Sequence, residues 1–213
     1  MFFNKSLKKD IDAAMANDPA ARTRFEVRHT YSGIKALIAY RRANFFYRHN
    51  LKFIARMISQ NSKKATGIEI HPAATIEPGV FIDHGMGVVI GETAVVETGC
   101  VIYQGVTLGG TGKDKGKKRH PTIKRDCVIS AGAKVLGGIT VNENCKIGAG
   151  SVVLSDVPAN STVVGIPGKV VKQNGQNVKD LEQEKRAPVW EEITALKEKI
   201  EKLEKELANK ESK

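Results

Sequence analysis

The sequence predicts a prism of short stacked strands between two helical flanks, and three observations carry that reading. An aliphatic residue returns every six positions from Ile70 to Val153. Eighteen of the twenty glycines lie between Gly67 and Gly168, so this stretch is a different material from its surroundings. On either side the six-residue period gives way to spacings of three and four.

The leading positions are Ile70, Ile76 and Ile82, then Ile90, Val96, Ile102 and Leu108, then Ile123, Ile129, Val135, Val141, Ile147 and Val153. Four residues after each comes something small or apolar, among them Ala74, Val80, Met86, Ala94, Cys100, Val106, Cys127 and Cys145. Such a period matches neither a helical turn of roughly 3.6 residues nor the alternation of a strand. It fits short strands joined by tight corners, three hexads to a coil, with the aliphatics inside and the small residues where faces meet. Glycine supplies the positive φ of the corners. The three cysteines share one repeat position and read as buried core. Their odd number and the lack of any CxxC argue against a disulfide framework and against a zinc site.

The period slips twice. Eight residues separate Ile82 from Ile90, and fifteen separate Leu108 from Ile123. The first excess contains Asp83 and His84. The second, GGTGKDKGKKRHP, leaves the prism as a loop over 109–122. Irregular backbone can aim side chains outward, so these two breaks are where chemistry is expected.

Before the prism, residues 1–64 read as a helical domain. Asp18-Pro19 is expected to begin a helical stretch, and Ser32 to cap one continuous helix, GIKALIAYRRANFFYRHNLKFIARMISQ. The prism is expected over 65–170 and a linker over 171–188. In 189–213, Val189, Ile193, Leu196, Ile200, Leu203 and Leu207 alternate by four and three. That spacing suits a parallel coiled coil, or a lone amphipathic helix lying on the prism.

The net charge of +11 is uneven, with +10 in residues 1–64 and +6 in 111–125. It suits an anionic ligand, nucleic acid or a phosphorylated cofactor. The basic loop lacks interleaved aromatics and no nucleic-acid module is visible, which argues against nucleic acid. Lys113, Lys115, Lys117 and Lys118 suit either solvent or a phosphate partner. No long apolar run and no apolar signal core in MFFNKSLKKD are present, so a soluble, cytoplasmic protein without membrane contact is expected.

The segments NDPAA (17–21), GIEIHPAATI (67–76), FIDHGMGVVIGETAVV (81–96), QGVTLGGTG (104–112), KRHPTI (118–123), SAGAKVLGGI (130–139) and IGAGSVV (147–153) resemble serine O-acetyltransferases, within the hexapeptide-repeat acyltransferases. That resemblance implies a left-handed parallel β-helix with an N-terminal α-helical domain and a C-terminal helix or coiled coil. It implies acetyl transfer from acetyl-CoA to the hydroxyl of L-serine, the first step of cysteine biosynthesis, with no metal. His84 matches the catalytic histidine, and Glu69 stands where the family usually has the aspartate that orients it. Asp83 and Asp18 match the acids that take the amino group of serine, and Arg119 and His120 the pair that holds its carboxylate. Gly110, Thr111, Ala131 and Ala149 match positions that contact acetyl-CoA. A homotrimer is implied, with a hexamer as the alternative, the helical domain being short for pairing two trimers. The chain ends ANKESK, without the final isoleucine through which the family docks to O-acetylserine sulfhydrylase, so that complex is not expected.

The residues support this chemistry independently. A serine hydroxyl is a poor nucleophile at neutral pH, and a histidine with an ordinary pKa near 6.5 is suited to take its proton. The residues speak against two rival enzymes. A sugar or antibiotic acceptor would leave Asp18 and Arg119 without an amino acid's charged ends to read. A carbonic anhydrase on this repeat would need closely spaced histidines, and no H-x₄-H occurs. His71, His29 and His49 read as structural or surface residues.

Overall fold

The computed structural model describes residues 2–112, 116–178, 195–200 and 202–203. Four helices come first: α1 (Phe2–Asn17), α2 (Arg24–Thr30), α3 (Ser32–Arg48) and α4 (Lys52–Thr66). Short strands then turn through three parallel sheets. Sheet A holds β1 (Glu69–Ile70), β4 (Val89–Ile90), β7 (Thr107–Gly109), β10 (Lys134–Leu136) and β13 (Val152–Val153). Sheet B holds β2 (Thr75–Ile76), β5 (Val95–Val96), β8 (Thr122–Ile123) and β11 (Thr140–Val141). Sheet C holds β3 (Phe81–Ile82), β6 (Val101–Ile102), β9 (Val128–Ile129), β12 (Lys146–Ile147) and β14 (Ser161–Val164).

Each strand pairs with the strand one coil later, and the register measures the coil. Ile90 faces Leu108, eighteen residues on. Ile70 faces Ile90, twenty on, and Leu108 faces Val135, twenty-seven on. The excesses of two and nine are the two slips of the repeat. All thirteen leading aliphatics are buried. Met86 departs from the expectation for its position: it is 67% exposed, and Val88 is buried in its place. The two inserted residues carry Met86 outward before the next coil begins.

Three helical expectations need correction. Asp18-Pro19 does not begin a helix; it follows the end of α1, and the next helix starts at Arg24 under the side chain of Thr23, which accepts from Glu26 N–H. Ser32 is the first residue of α3, not its cap; Tyr31 precedes it with no side-chain capping bond. The expected single helix breaks at Asn50, whose φ is 64°. There Leu51 N–H bonds to Phe46 O at 2.9 Å and Asn50 N–H to Tyr47 O at 3.1 Å, an ending in which asparagine tolerates the left-handed residue usually given to glycine.

The helices close one end of the prism. Ala36, Leu37 and Tyr40 of α3 join its core, while Ile11, Ala14, Val27 and Ile34 pack on Phe81 and Val101 outside sheet C. Their side chains also occupy backbone groups of the first coil. Tyr40 OH donates to Ala74 O (2.6 Å) and accepts from Ile76 N–H (3.0 Å). Ser59 Oγ donates to Ile70 O (2.7 Å), and Asn44 Nδ2 to Pro72 O (2.7 Å). Arg41 pairs with buried Asp10 at 2.6 Å, and Asp10 also accepts from Gly79 N–H. Burial pushes the Asp10 carboxyl up, against the pull of Arg41.

Residues 1–177 form one compact unit, with the helices as part of it, and 178–213 a second. The first part of the expected linker is strand instead, and 179–188 lie outside the described residues. β15 (Lys169–Gln173) folds back antiparallel on β14, and β16 (Gln176–Asn177) on β15, so the first unit runs on to Asn177. In the second unit, Leu196, Ile200 and Leu203 are helical and exposed; Val189, Ile193 and Leu207 lie outside the described residues. Among the described residues no helix is long and apolar enough to cross a membrane.

Candidate active site

At the corner where sheet C turns into sheet A, the chain runs Asp83-His84-Gly85-Met86-Gly87. His84 has φ 55°, Gly85 84° and Gly87 76°. A Cβ on Gly85 would come within 2.4 Å of Ile68 Cδ1, so this corner needs glycine for space as well as for conformation. The left-handed turn throws the His84 side chain outward, 72% exposed, with Nε2 4.0 Å from Asp83 Oδ2.

The helices bring a wall to this corner. Gly33 of α3 lies on the backbone of β3, so closely that a Cβ there would meet Ile82 O at 2.1 Å. The approach sets Tyr31 and Asp18 against His84 and Asp83, around a cleft of about 340 Å³ lined also by Ser32, Gly33 and Ile82. Asp18 Oδ1 accepts from Ala20 N–H (2.8 Å) and Oδ2 from Tyr31 OH (2.5 Å). The tyrosine bond, then the backbone bond, hold the Asp18 carboxyl below its usual range, and the same bond first of all pushes Tyr31 up to about 12.

The same C-to-A edge continues upward as a column of small corners. Gly105 N–H bonds to Met86 O (2.8 Å), Gly132 N–H to Gln104 O (2.9 Å) and Gly150 N–H to Ala131 O (2.9 Å). Ala131 and Ala149 therefore share the edge that carries His84. Ile82 pairs with Ile102, which sets Gln104 one coil above His84. Among the described residues, Gln104 Oε1 is the buried side-chain polar atom without a hydrogen-bond partner.

Arg119 and His120 belong to a different edge, where sheet A turns into sheet B. Arg119 NH2 bonds to Glu92 Oε2 at 2.7 Å. His120 is buried, and its Nδ1 lies 2.9 Å from Thr93 Oγ1. Burial, and then the Arg119 charge, hold the His120 imidazole below its ordinary pKa. Lys118 Nζ donates to Thr93 O (2.6 Å). Gly110 and Thr111 lie on this edge too: a Cβ on Gly110 would come within 3.1 Å of Arg119 O, and one on Gly137 within 3.4 Å of Thr111 Oγ1. Lys113 and Lys115 lie outside the described residues.

A protein of Bacillus pumilus named serine acetyltransferase is 57% identical over 211 residues, 98% of this chain and 96% of its own length. The chain belongs to the serine acetyltransferase family. Residues 120–155 match the family described as Bacterial transferase hexapeptide (six repeats). A Neisseria gonorrhoeae serine acetyltransferase solved in complex with serine is similar at a TM-score of 0.77 and 39% identity, over 80% of this chain and 69% of that one. One from Brucella abortus solved in complex with coenzyme A is similar at 0.78 and 42%, over 80% and 68%. The prism is thus the left-handed parallel β-helix of serine acetyltransferases.

In this member of the serine acetyltransferase family, then, one edge gathers Asp18, Asp83, His84, Ala131 and Ala149, and another gathers Gly110, Thr111, Arg119 and His120. Glu69 opens β1, one coil below Val89, which follows the His84 corner, but its carboxylate accepts from Lys63 Nζ at 2.6 Å, and no hydrogen bond joins it to His84. Tyr31, Thr93 and Gln104 were not singled out from the sequence. The hexad offset that marks Gln104 as a corner could have found it; nothing local marks Tyr31 or Thr93. Among the described residues no cluster of acids, histidines or cysteines could hold a metal ion.

Proposed function

We propose that this protein transfers the acetyl group of acetyl-CoA to the hydroxyl of L-serine, giving O-acetylserine and CoA, the opening step of cysteine biosynthesis. The observation that carries the reading is the cleft in which Asp18 and Asp83 face an outward-turned His84. Two carboxylates beside one histidine suit a substrate with an ammonium group and a hydroxyl. The family membership and the serine-bound and CoA-bound relatives support the same reading.

Asp18 and Asp83 hold the ammonium, and Arg119 with His120 the carboxylate, a guanidinium fork being matched to that group. His84 takes the hydroxyl proton as the oxygen attacks the thioester carbonyl. The C–S bond breaks, and His84 returns the proton to the leaving thiolate. Glu69 is assigned to orient the imidazole, which requires it to leave Lys63. The glycine column above His84 leaves backbone open to a slender acyl-carrying arm, with Ala131 and Ala149 beside it and Gly110 and Thr111 opposite.

The two edges are separated by the width of sheet A, so one chain does not close the site alone. Setting one chain's C-to-A edge against its neighbour's A-to-B edge closes it, and repetition about a three-fold axis gives a homotrimer. Three buried, unpaired cysteines suit the reducing cytoplasm, where we place the reaction.

Thiol release from acetyl-CoA, followed over a panel of L-serine, D-serine, a hexosamine and an aminoglycoside, tests the activity. L-serine is expected to support release and the others little. Faster release with the sugar or the aminoglycoside would overturn the assignment.

A further inference from the structure

Thr93 makes four hydrogen bonds with the two residues assigned to the acceptor's carboxylate. Its Oγ1 accepts from Arg119 N–H (3.1 Å) and His120 N–H (3.0 Å). Its own backbone N–H donates to His120 Nδ1 (3.2 Å), and its hydroxyl lies 2.9 Å from that same nitrogen. Its carbonyl in turn accepts from Lys118 Nζ, which also reaches Pro121 O (3.2 Å).

These bonds fix a proton. The Thr93 backbone N–H is aimed at Nδ1, so Nδ1 presents a lone pair. The hydroxyl oxygen already accepts twice, which leaves its own hydrogen to donate, and Nδ1 is the atom it faces. The single ring proton of neutral His120 therefore sits on Nε2. Protonating Nδ1 would set three donors against one another, and burial beside Arg119 disfavours the cation further.

The Nε2 side of the ring has no partner among the described residues. It lies over two positions without side chains: a Cβ on Gly91 would come within 2.2 Å of Nε2, and one on Gly110 within 3.5 Å. We propose that Thr93 is a positioning residue that holds His120 as a neutral Nε2–H donor for the acceptor's carboxylate. His120 then supplies a directed hydrogen bond beside the charge of Arg119. With its proton already placed and Nδ1 occupied, it is not a second base, and proton abstraction falls to His84 alone. The inference rests on the acceptor being an amino acid.

The first test needs no substrate. Nitrogen-15 NMR of the imidazoles in the full-length protein, with the His120 signal assigned by its loss in His120→Gln, is expected to show the Nε2–H tautomer at pH 7. An Nδ1–H tautomer there would overturn the proposal, whatever Thr93 variants do. Thr93→Val keeps the backbone donor to Nδ1 but removes the hydroxyl that faces it and that accepts from Arg119 and His120 N–H. It should weaken the preference for the Nε2–H tautomer and raise KM for L-serine roughly tenfold, the loss expected for a hydrogen bond of about 1.4 kcal/mol. KM for acetyl-CoA should stay unchanged, and Thr93→Ser should restore wild-type behaviour. A Thr93→Val protein with an unchanged serine KM, or a Thr93→Ser protein with a mixed tautomer, would also sink the idea. If L-serine proves inert as an acceptor, the tautomer result still stands or falls by itself.

Discussion

The Tyr31 hydroxyl donates a 2.5 Å hydrogen bond to Asp18 Oδ2 on the wall of the cleft that faces His84. With Ala20 N–H on the other oxygen, the carboxylate is held in one orientation. Tyr31, pushed up to about 12 first of all by this bond, is a protonated donor throughout the neutral range, as an ordinary tyrosine would be. Tyr31→Phe should raise KM for L-serine by roughly three- to tenfold, the loss of about one hydrogen bond, with acetyl-CoA KM and the thermal midpoint little changed. An unchanged serine KM would remove Asp18 from the ammonium site.

Gly33 is the point at which α3 touches β3. Gly33→Ala places a methyl within 2.1 Å of Ile82 O, so the helix must move and carry Tyr31 with it. Overpacking of this kind costs roughly 1–3 kcal/mol. We expect a lower thermal midpoint and a fall of at least about tenfold in kcat/KM for serine, the mark of a displaced wall. Loss of stability with kcat/KM intact would show that the wall tolerates movement.

His84→Ala and Arg119→Ala should each lose most activity, but on different edges. If each site takes one edge from either neighbour, unfolding and refolding an equal mixture of the two inactive variants should rebuild some sites with both residues. Random mixing gives roughly a quarter of sites intact, since each edge is wild-type in half of the chains. Recovery toward a quarter of wild-type kcat/KM for serine, with a trimer by light scattering, supports the shared site. No recovery from well-formed mixed trimers would place both residues in one chain's site.

Stability should fall as the solution is acidified from pH 7 to 5. His71 and His120 are both held below their ordinary pKa, by burial first, so the unfolded chain binds protons that the folded chain refuses. Their contribution is complete above about 6.5 and is lost as pH falls toward the lowered folded values. Asp18, Glu26 and Glu97, also lowered, act in the same direction only near pH 4 and below. Urea midpoints at pH 7.5, 6.5 and 5.5 should decline for the wild type and flatten for His71→Gln/His120→Gln. Parallel declines would assign the effect to other groups.

The prism was legible because its constraint is local and repeated. Every leading aliphatic must point inward, so the spacing in the chain is the spacing in space, and the two slips reappear as register offsets of twenty and twenty-seven. Met86 misled because counting from Ile82 ignores the two inserted residues, and Val88 holds the interior position. Asp18-Pro19 carries the residue types of a helix start, yet its carboxylate is engaged by Tyr31, thirteen residues away. Glu69 sits where the motif puts it, while the lysine that occupies it comes from α4. Tyr31 and Thr93 act through partners far along the chain, and no period records that.

The hydrogen bonds from Tyr40, Ser59, Asn44 and Arg41 to the first coil have a consequence for solubility. A parallel coil begins with a ledge of backbone groups that the ladder itself does not use, ready to template another molecule's strand. Two such ledges meeting end to end would not close into a ring; they would grow into a fibre. Here Ile70, Ala74 and Ile76, on or beside the first strands of sheets A and B, are already engaged by helical side chains, Gly33 packs on Ile82 O of sheet C, and Leu37 joins the apolar core. Stripped of residues 1–64, the remaining coils would be expected to polymerise rather than remain dispersed.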